Sequence, residues 1–247
     1  MAPTEHSTRP AHNGGDEHGR RVRGIFSEIA TRYDLFNALS SFGIYRSWLR
    51  RVARTCSCTG SERVLDVAGG TGDVTFELCD ACPPASVELT DFTPAMLDVA
   101  AERIAAGANM GVPVSRREVD AHNLPYTDES FELVTCAYGI RNFSDRRRAM
   151  REAARVLVPG GRYVVLEFGT PPNPVWRALY RVYLQHMIPF IGGLLTGDRA
   201  GFEYLRDSIK GFPPQDNIAR EIREAGFSQV SYENCTGGIA AVYTAVK

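Results

Sequence analysis

The chain has 247 residues, of which 28 are basic and 29 acidic, so its formal net charge is −1. This length fits one α/β domain, and the balanced charge gives no indication of nucleic-acid binding, although it leaves a local basic patch open. No run of about 18 uncharged apolar residues predicts a transmembrane helix, and no apolar stretch near the start predicts a secretory signal, so the expected location is the cytoplasm.

The first part of the chain differs in composition from the rest. Residues 1–23 are rich in polar residues, glycine and proline and have no apolar run, which predicts a disordered tail. Residues 24–55 predict helices that lead into a single domain covering 24–247.

The six cysteines do not predict a metal site. Cys79 and Cys82 have the spacing of a zinc-ligand pair, but Cys56 and Cys58 are separated by a single residue, which is too few for a second pair. We expect the thiols to pack as small hydrophobic groups.

Short strands alternate with helices from residue 63 onward. The predicted strands are 63–67, 86–90, 114–119, 131–137 and 162–168, and helices begin near Val74, Pro94 and Arg146. Such alternation forms parallel βαβ units. The β-rich segments 229–234 and 239–246 flank Thr236-Gly237-Gly238, which predicts a hairpin. The expected fold is therefore a Rossmann-like α/β domain, whose seven-stranded, mostly parallel sheet ends in an antiparallel hairpin.

The strongest local motif is Asp66-Val67-Ala68-Gly69-Gly70-Thr71-Gly72-Asp73, which follows the first strand and opens a helix. Ligands bind at such strand ends, and Gly69 lets the backbone approach a ligand closely. Thr75 stands where the dinucleotide fingerprint has its last glycine, and the Gly-Lys of a P-loop is absent. Carboxylates at Asp66 and Asp73 would repel a pyrophosphate but suit a ligand with an ammonium group, such as S-adenosylmethionine.

Carboxylates also follow the second and third strands. Asp91 is placed to accept both ribose hydroxyls, although fixing the start of the helix near Pro94 is an alternative role. Asp120 can accept from the adenine amino group while the amide of Ala121 donates to a ring nitrogen, and an ordinary Asx turn is the alternative. Three features at successive strand ends predict a class I S-adenosylmethionine-dependent methyltransferase rather than a nicotinamide oxidoreductase.

Five blocks between residue 24 and the end form a more specific pattern. They are Tyr33-Asp34-Leu35-Phe36-Asn37 with residues 41–48, Ala68-Gly69-Gly70-Thr71-Gly72-Asp73, Tyr138-Gly139-Ile140-Arg141-Asn142, residues 155–168 and residues 234–240. Together they resemble the ubiquinone/menaquinone biosynthesis C-methyltransferases, which include demethylmenaquinone methyltransferases. The sequence departs from that pattern at Tyr45, usually histidine, and at Ala137, where some members have a cofactor-contacting serine.

The resemblance implies methyl transfer to a ring carbon of a polyprenylated quinol, foremost demethylmenaquinol to menaquinol. It implies cofactor contacts at Thr71, Asp91, Asp120 and Ala121. The motifs do not distinguish naphthoquinol from benzoquinol and carry no information on oligomeric state. Two alternatives stay open: a methyltransferase for another small aromatic or lipid acceptor, and a non-catalytic cofactor-binding subunit of a quinone-making complex.

Three side chains are candidates for acceptor chemistry. Arg141 follows the fourth strand and should face the crevice, where it would stabilise a phenolate or hold a water that takes the proton. A salt bridge to a helix carboxylate is the alternative. Tyr33 could orient the quinol hydroxyl and His186 could exchange its proton, with packing or structural roles as the alternatives for both.

Residues 172–212 form an insertion after the fifth strand, which we expect to cover the substrate and its prenyl tail. Apolar residues recur there at helical spacing, namely Trp176, Leu179, Tyr180, Tyr183, Leu184, Met187 and Ile188. Such a stripe is typical of core packing, whereas Arg177 and Arg181 on the same helix suit a membrane surface. Because a prenylated quinol is insoluble in water, the resemblance implies peripheral contact at the inner face of the membrane.

Overall fold

One seven-stranded sheet organises the computed structural model, which describes residues 13–30, 37–38, 41, 43–188 and 199–247 of the chain. Its strands are β1 (Arg63–Val67), β2 (Ser86–Asp91), β3 (Val114–Glu118), β4 (Phe131–Ala137), β5 (Leu157–Phe168), β6 (Ser228–Cys235) and β7 (Ala240–Val246). Their order across the sheet is β3-β2-β1-β4-β5-β7-β6. The first five strands pair in parallel and β7 pairs antiparallel with β5 and β6, which confirms the predicted Rossmann-like sheet and its terminal hairpin.

Helices follow the strands as the sequence pattern indicates. Those of the described segments are α1 (Asn13–Ile29), α2 (Tyr45–Cys56), α3 (Asp73–Ala81), α4 (Pro94–Ala105), α5 (Arg146–Val156), α6 (Pro174–Val182), α7 (Arg199–Gly211) and α8 (Gln215–Glu224). A π-helical turn, Tyr183–Met187, continues α6, and 3₁₀ turns occupy Ile140–Asn142 and Thr236–Gly238. Side-chain caps define two helix starts: Asp145 accepts from Arg148 N, and Asn173 accepts from Val175 N and Trp176 N.

Helices cover both faces of the sheet. Val64 and Leu65 are adjacent on β1 and point to opposite faces, yet both are 0% exposed. One face packs against α5 and α8, and the other against α2 and α3. This double burial explains why the central strands read as nearly continuous apolar runs. Because β1 to β4 pair in parallel, their carboxyl ends lie along one edge of the sheet.

β5 begins earlier than the sequence predicts. The run Pro159-Gly160-Gly161 predicts a turn before a strand at Arg162, but β5 starts at Leu157. Leu157 pairs with Phe131, and the register shifts between Phe131 and Leu133. Gly160 has a φ of 77°, which glycine adopts without a Cβ penalty. The strand therefore bends at the glycines instead of ending there.

The N-terminal region contains a helix where its composition predicts a tail. Helix α1 begins at Asn13, while residues 1–12 lie outside the described part of the chain. His18, Val22 and Phe26 recur at helical spacing and line a cavity at the sheet edge. Averaging the composition over the whole segment concealed this periodicity. The first helix accordingly starts before the predicted boundary at residue 24.

Helix α6 and its π-helical continuation have two apolar faces. The inner face consists of Tyr180, Leu184 and Ile188, which are buried and pack on Ile209 of α7. The outer face consists of exposed side chains, namely Val175, Trp176, Leu179 and Val182 on α6 and Met187 on the π-helical turn. The core-packing interpretation therefore holds for only one side of the predicted stripe. Within the described residues, no helix has the length and apolar character needed to cross a membrane.

Candidate active site

A cavity of about 1050 Å³ opens at the carboxyl ends of β1, β2, β3 and β4. Its walls come from the turns that follow these strands and from one side of α1. Parallel strands end at the same edge of a sheet, and this edge is where open α/β sheets bind ligands. The predicted cofactor motifs therefore meet in one place.

Gly69 is required by close contacts. A Cβ at this position would collide with Leu89 Cδ1 and lie 2.7 Å from Asp66 Oδ2. Its amide donates to the β2 backbone at 2.9 Å. The next residue, Gly70, has a φ of 58°, and its amide donates to Asp91 Oδ2 at 2.9 Å. The glycine turn is thus packed tightly against β2 and leaves its other side open to the cavity.

Asp66 does not face the cavity, contrary to the expectation that it meets a cofactor ammonium. Its side chain is 0% exposed and accepts hydrogen bonds of 2.7 Å from Thr75 Oγ1 and Thr135 Oγ1. Burial raises the pKa of Asp66 to about 6, against the opposing effect of the two hydroxyls. Asp73 does line the cavity and pairs with Arg103 Nη1 at 2.9 Å. Asp66 therefore links β1 to α3 and β4.

Asp91 lines the cavity and also shapes the turns around it. Oδ2 accepts from Gly70 N at 2.9 Å, and Oδ1 accepts from Thr93 N at 2.8 Å. Because Thr93 precedes the first residue of α4, the carboxylate fixes the start of that helix. Burial raises the pKa of Asp91 against these amide contacts. A carboxylate offers about four lone-pair sites, so this arrangement leaves acceptor capacity for ribose hydroxyls.

Asp120, Ala121 and His122 form an Asx turn after β3. Asp120 Oδ1 accepts from His122 N at 2.9 Å and from His122 Nδ1 at 2.6 Å, and the imidazole contact lowers the pKa of Asp120. The amide of Asp145 donates to His122 Nε2 at 3.1 Å, so the ring proton is on Nδ1. Asp120 and Ala121 both line the cavity. The Asx turn is therefore compatible with a ligand contact at the same residues.

Arg141 borders the cavity from the 3₁₀ turn after β4. Its side chain is 3% exposed, and Nη1 pairs with Glu167 Oε1 at 2.9 Å. The Arg141 amide donates to Glu167 Oε2 at 3.2 Å. Burial raises the pKa of Glu167, and Arg141 opposes this effect. The salt bridge predicted as an alternative role exists, but its carboxylate belongs to strand β5 and not to a helix.

Aromatic rings hold the guanidinium of Arg141 in one orientation. Its central carbon lies 5.8 Å from the centre of the Tyr138 ring and 5.3 Å from that of Phe168. Tyr138 has a φ of 56°, an unusual conformation for a bulky residue. The strained turn and the ion pair together fix the cation at the cavity wall.

The structure brings most of the predicted site residues together. Those that line the cavity are Gly69, Thr71, Asp91, Asp120, Ala121 and Arg141. Tyr33 lies outside the described residues. His186 is exposed on the π-helical turn and is not part of the described cavity wall. Ala137, set aside on the sequence pattern, does line the cavity.

His18 is a cavity residue that sequence reasoning missed. It was assigned to the predicted tail, yet its ring Nε2 lies 3.0 Å from the carbonyl oxygen of Asn142. Its helical spacing with Val22 and Phe26 was the available signal.

Comparison with known proteins identifies the family. Residues 15–247 match the model of the ubiE/COQ5 methyltransferase family. The chain belongs to this family. A demethylmenaquinone methyltransferase of Deinococcus radiodurans is 41% identical over 97% of this chain and 98% of its own length. A protein of the same name from Thermus thermophilus is 44% identical over 89% and 98%, respectively.

Solved structures share the fold. A S-adenosylmethionine-dependent methyltransferase from Thermotoga maritima, described as a possible histamine N-methyltransferase, superposes with a TM-score of 0.61. Its sequence identity is 19%, over 91% of this chain and 99% of that one. The predicted methyltransferase family and its Rossmann-like fold are thus both confirmed.

Membership of the family implies S-adenosylmethionine as the cofactor, and the cavity fits this molecule. A Cβ at Gly70 would come no closer than 4.0 Å to Asp91 Oδ2, so the turn is open on the cavity side. Carboxylates at Asp91 and Asp120 offer acceptors at two successive strand ends. The volume of about 1050 Å³ slightly exceeds the usual range for small-molecule and cofactor sites, which leaves room for a second small group.

Proposed function

We propose that this chain methylates a ring carbon of a polyprenylated naphthoquinol and so converts demethylmenaquinol to menaquinol. The observation that supports this most is the single cavity in which the cofactor turns and Arg141 meet. The two near full-length relatives named demethylmenaquinone methyltransferases support the naphthoquinol.

The cofactor contacts follow from the strand ends. Asp91 accepts hydrogen bonds from the ribose hydroxyls with its remaining lone pairs. Asp120 accepts from the adenine amino group, and the amide of Ala121 donates to a ring nitrogen. Gly69 and Thr71 contribute backbone that approaches the cofactor without steric conflict.

The acceptor must be the reduced quinol, because an oxidised quinone ring is too electron-poor to attack a sulfonium methyl group. S-adenosylmethionine supplies an electrophilic methyl. Loss of a hydroxyl proton makes the quinol a phenolate, whose ortho carbon forms the new carbon–carbon bond as the carbon–sulfur bond breaks. The ring carbon then loses its proton and aromaticity returns. Arg141 stabilises the phenolate oxygen or holds the water that takes the proton.

Two further side chains are secondary candidates. Tyr33 would orient the quinol hydroxyl, and His186 would exchange a proton. His186 is exposed on the π-helical turn and is not part of the described cavity wall, so of the three candidates Arg141 has the strongest support for a role at the reacting carbon.

We also propose peripheral membrane contact for an otherwise cytoplasmic protein. The outer face of α6 and its π-helical continuation presents five exposed apolar side chains, and Arg181 of α6 is also exposed. An apolar face beside basic residues is typical of helices that lie in the interface of an anionic membrane. Such contact would give the protein access to prenylated quinols that are dissolved in the membrane.

The test is an anaerobic assay with demethylmenaquinol and, separately, with its oxidised form, followed by mass spectrometry and proton NMR. We expect a ring-methyl signal from the reduced substrate alone. A matched demethylated benzoquinol serves as the control for ring type and should turn over more slowly. A methoxy signal, or equal turnover of the oxidised form, would contradict the proposal.

A further inference from the structure

The proposed cofactor contacts leave the carboxylate of its amino-acid end without a partner. At this edge the sheet order is β3-β2-β1-β4, with Asp120 after β3 and Asp91 after β2. A cofactor with adenine at Asp120 and ribose at Asp91 must extend its methionine part toward β1 and β4. Neighbouring strands are about 4.8 Å apart, so the carboxylate would lie near the turn that follows β4.

His18 of α1 lies at that end of the cavity. Its Nε2 contacts the carbonyl oxygen of Asn142, in the 3₁₀ turn after β4, at 3.0 Å. Because a carbonyl only accepts, Nε2 carries the proton in this contact. That turn abuts the glycine turn, since a Cβ at Gly139 would lie 2.8 Å from Ala68 Cβ. His18 is therefore part of the wall where the two turns meet.

The other basic side chains on the described cavity wall have different surroundings. Arg141 pairs with Glu167. Arg148 lies near the Asp120 carboxylate, at the adenine end. The ring of His122 is held between Asp120 and the amide of Asp145. The observed contact of His18, in contrast, is with a neutral carbonyl group.

We propose that His18 binds the carboxylate of S-adenosylmethionine. Nε2 keeps its hydrogen bond to the Asn142 carbonyl, and Nδ1 shares a proton with the cofactor carboxylate in a charge-assisted hydrogen bond. This inference rests on the proposed orientation of the cofactor. The contact would give α1 a direct role in cofactor binding, beyond forming part of the cavity wall.

Contacts elsewhere on α1 fix the position of His18. Arg23 pairs with Glu118 at 2.8 Å and lies 5.3 Å from the centre of the Phe92 ring. Arg21 lies 5.9 Å from the centre of the Tyr204 ring on α7. A substitution confined to His18 should therefore leave α1 in place, which makes the side chain testable on its own.

The test is calorimetric binding of two probes, S-adenosylhomocysteine and 5′-methylthioadenosine, of which the second lacks the amino-acid part. We expect His18→Gln to weaken the binding of S-adenosylhomocysteine about tenfold and to change the affinity for 5′-methylthioadenosine by no more than about twofold. His18→Lys, which restores a cation, should recover most of the lost affinity. Unchanged affinity for S-adenosylhomocysteine, or equal weakening of both probes, would overturn the inference.

Asp91→Ala separates this inference from the proposed ribose contact. The substitution should weaken the binding of both probes, because both contain the ribose. If Asp91→Ala weakens neither while His18→Gln still discriminates between the probes, the carboxylate contact stands and the ribose assignment fails. A turnover defect in His18→Gln with normal binding of both probes would place His18 at the acceptor and overturn the inference.

Discussion

The two sides of the cavity are built in different ways. On the cofactor side, short turns after β1, β2 and β3 are fixed by hydrogen bonds within one turn, such as Thr93 N with Asp91 and His122 N with Asp120. Gly70 N also donates to Asp91, which joins the ends of the adjacent strands β1 and β2. On the acceptor side, the wall depends on a buried ion pair, in which Arg141 of the turn after β4 is held by Glu167 of β5. Substitutions of ligand-contacting side chains on the first side should act mainly on cofactor affinity, and substitution of Arg141 on the second side should act on stability and turnover.

The largest expected effect is on the acceptor side. Arg141→Ala leaves Glu167 buried without its counter-ion, so the free energy of unfolding should fall by about 3–5 kcal/mol. Turnover should fall about 100-fold or more, while the folded fraction keeps its affinity for S-adenosylhomocysteine. Urea unfolding and calorimetry measure the two effects.

A matched double variant sharpens this prediction. Arg141→Met with Glu167→Met removes both charges and should recover most of the lost stability but none of the turnover. Loss of cofactor binding in the folded Arg141→Ala variant would instead assign Arg141 to the cofactor side.

The next effect concerns the buried carboxyl beneath the glycine turn. The pKa of Asp66 is about 6 in the folded protein against 3.8 ordinarily, so the folded chain keeps a proton that the unfolded chain releases between these values. Its contribution to stability is therefore greatest at low pH and falls by about 3 kcal/mol as pH rises through about 6. Asp66→Asn should abolish this loss. The free energy of unfolding of the variant should therefore increase relative to that of wild type between pH 4 and pH 7.

Urea unfolding at several pH values measures this difference. Asp120→Asn is a control whose pH dependence of stability should have the opposite sign, because His122 lowers the pKa of Asp120 in the folded protein. That carboxyl stabilises the fold at higher pH and the contribution is lost as pH falls. A constant difference between Asp66→Asn and wild type across the pH range would contradict the prediction.

A smaller effect is expected at the ribose site. Asp91→Ala should weaken the binding of S-adenosylmethionine by about 2 kcal/mol, since the ribose hydroxyls lose a charged acceptor. Because Asp91 also accepts from Gly70 and Thr93, circular dichroism must first establish that the variant folds. Asp91→Asn keeps one oxygen acceptor, so its affinity for S-adenosylmethionine should lie between those of wild type and Asp91→Ala. Unchanged calorimetric affinity in folded Asp91→Ala would remove the ribose assignment.

The smallest effect on stability is expected on the outer face of α6. Leu179→Ser should change the free energy of unfolding by no more than about 0.5 kcal/mol, because the side chain is 57% exposed. Binding to anionic phospholipid vesicles should nevertheless decrease in a flotation assay. Leu184→Ser, on the buried inner face, is the matched control and should destabilise the fold. Equal vesicle binding by wild type and Leu179→Ser would argue against membrane contact through this face.

The sequence predicts best what neighbouring residues decide. The glycine turn, the carboxylates at successive strand ends and the terminal hairpin all follow from local patterns, and the structure has them where predicted. The start of β5 at Leu157 was missed because it depends on pairing with Phe131, which no local pattern records.

Orientation was harder to predict than position. Asp66 lies at the predicted place, but its side chain turns away from the cavity because Thr75 and Thr135 offer hydroxyls in the interior. His18 was missed for another reason: composition, averaged over a segment, carries no information about which side of a helix a residue occupies. Both errors concern which face a side chain selects, and that choice depends on partners distant in the sequence.

The placement of β7 has a consequence for folding. Along the chain it follows β6, yet in the sheet it separates β6 from β5 and bonds to both. During synthesis, β1 to β5 can assemble first, but β6 has no neighbour until residues 240–246 have left the ribosome. The edge of β5 stays open for that interval, which makes the nascent chain prone to mispairing with other strands. A deletion within β7 would therefore remove two strands from the sheet, not one.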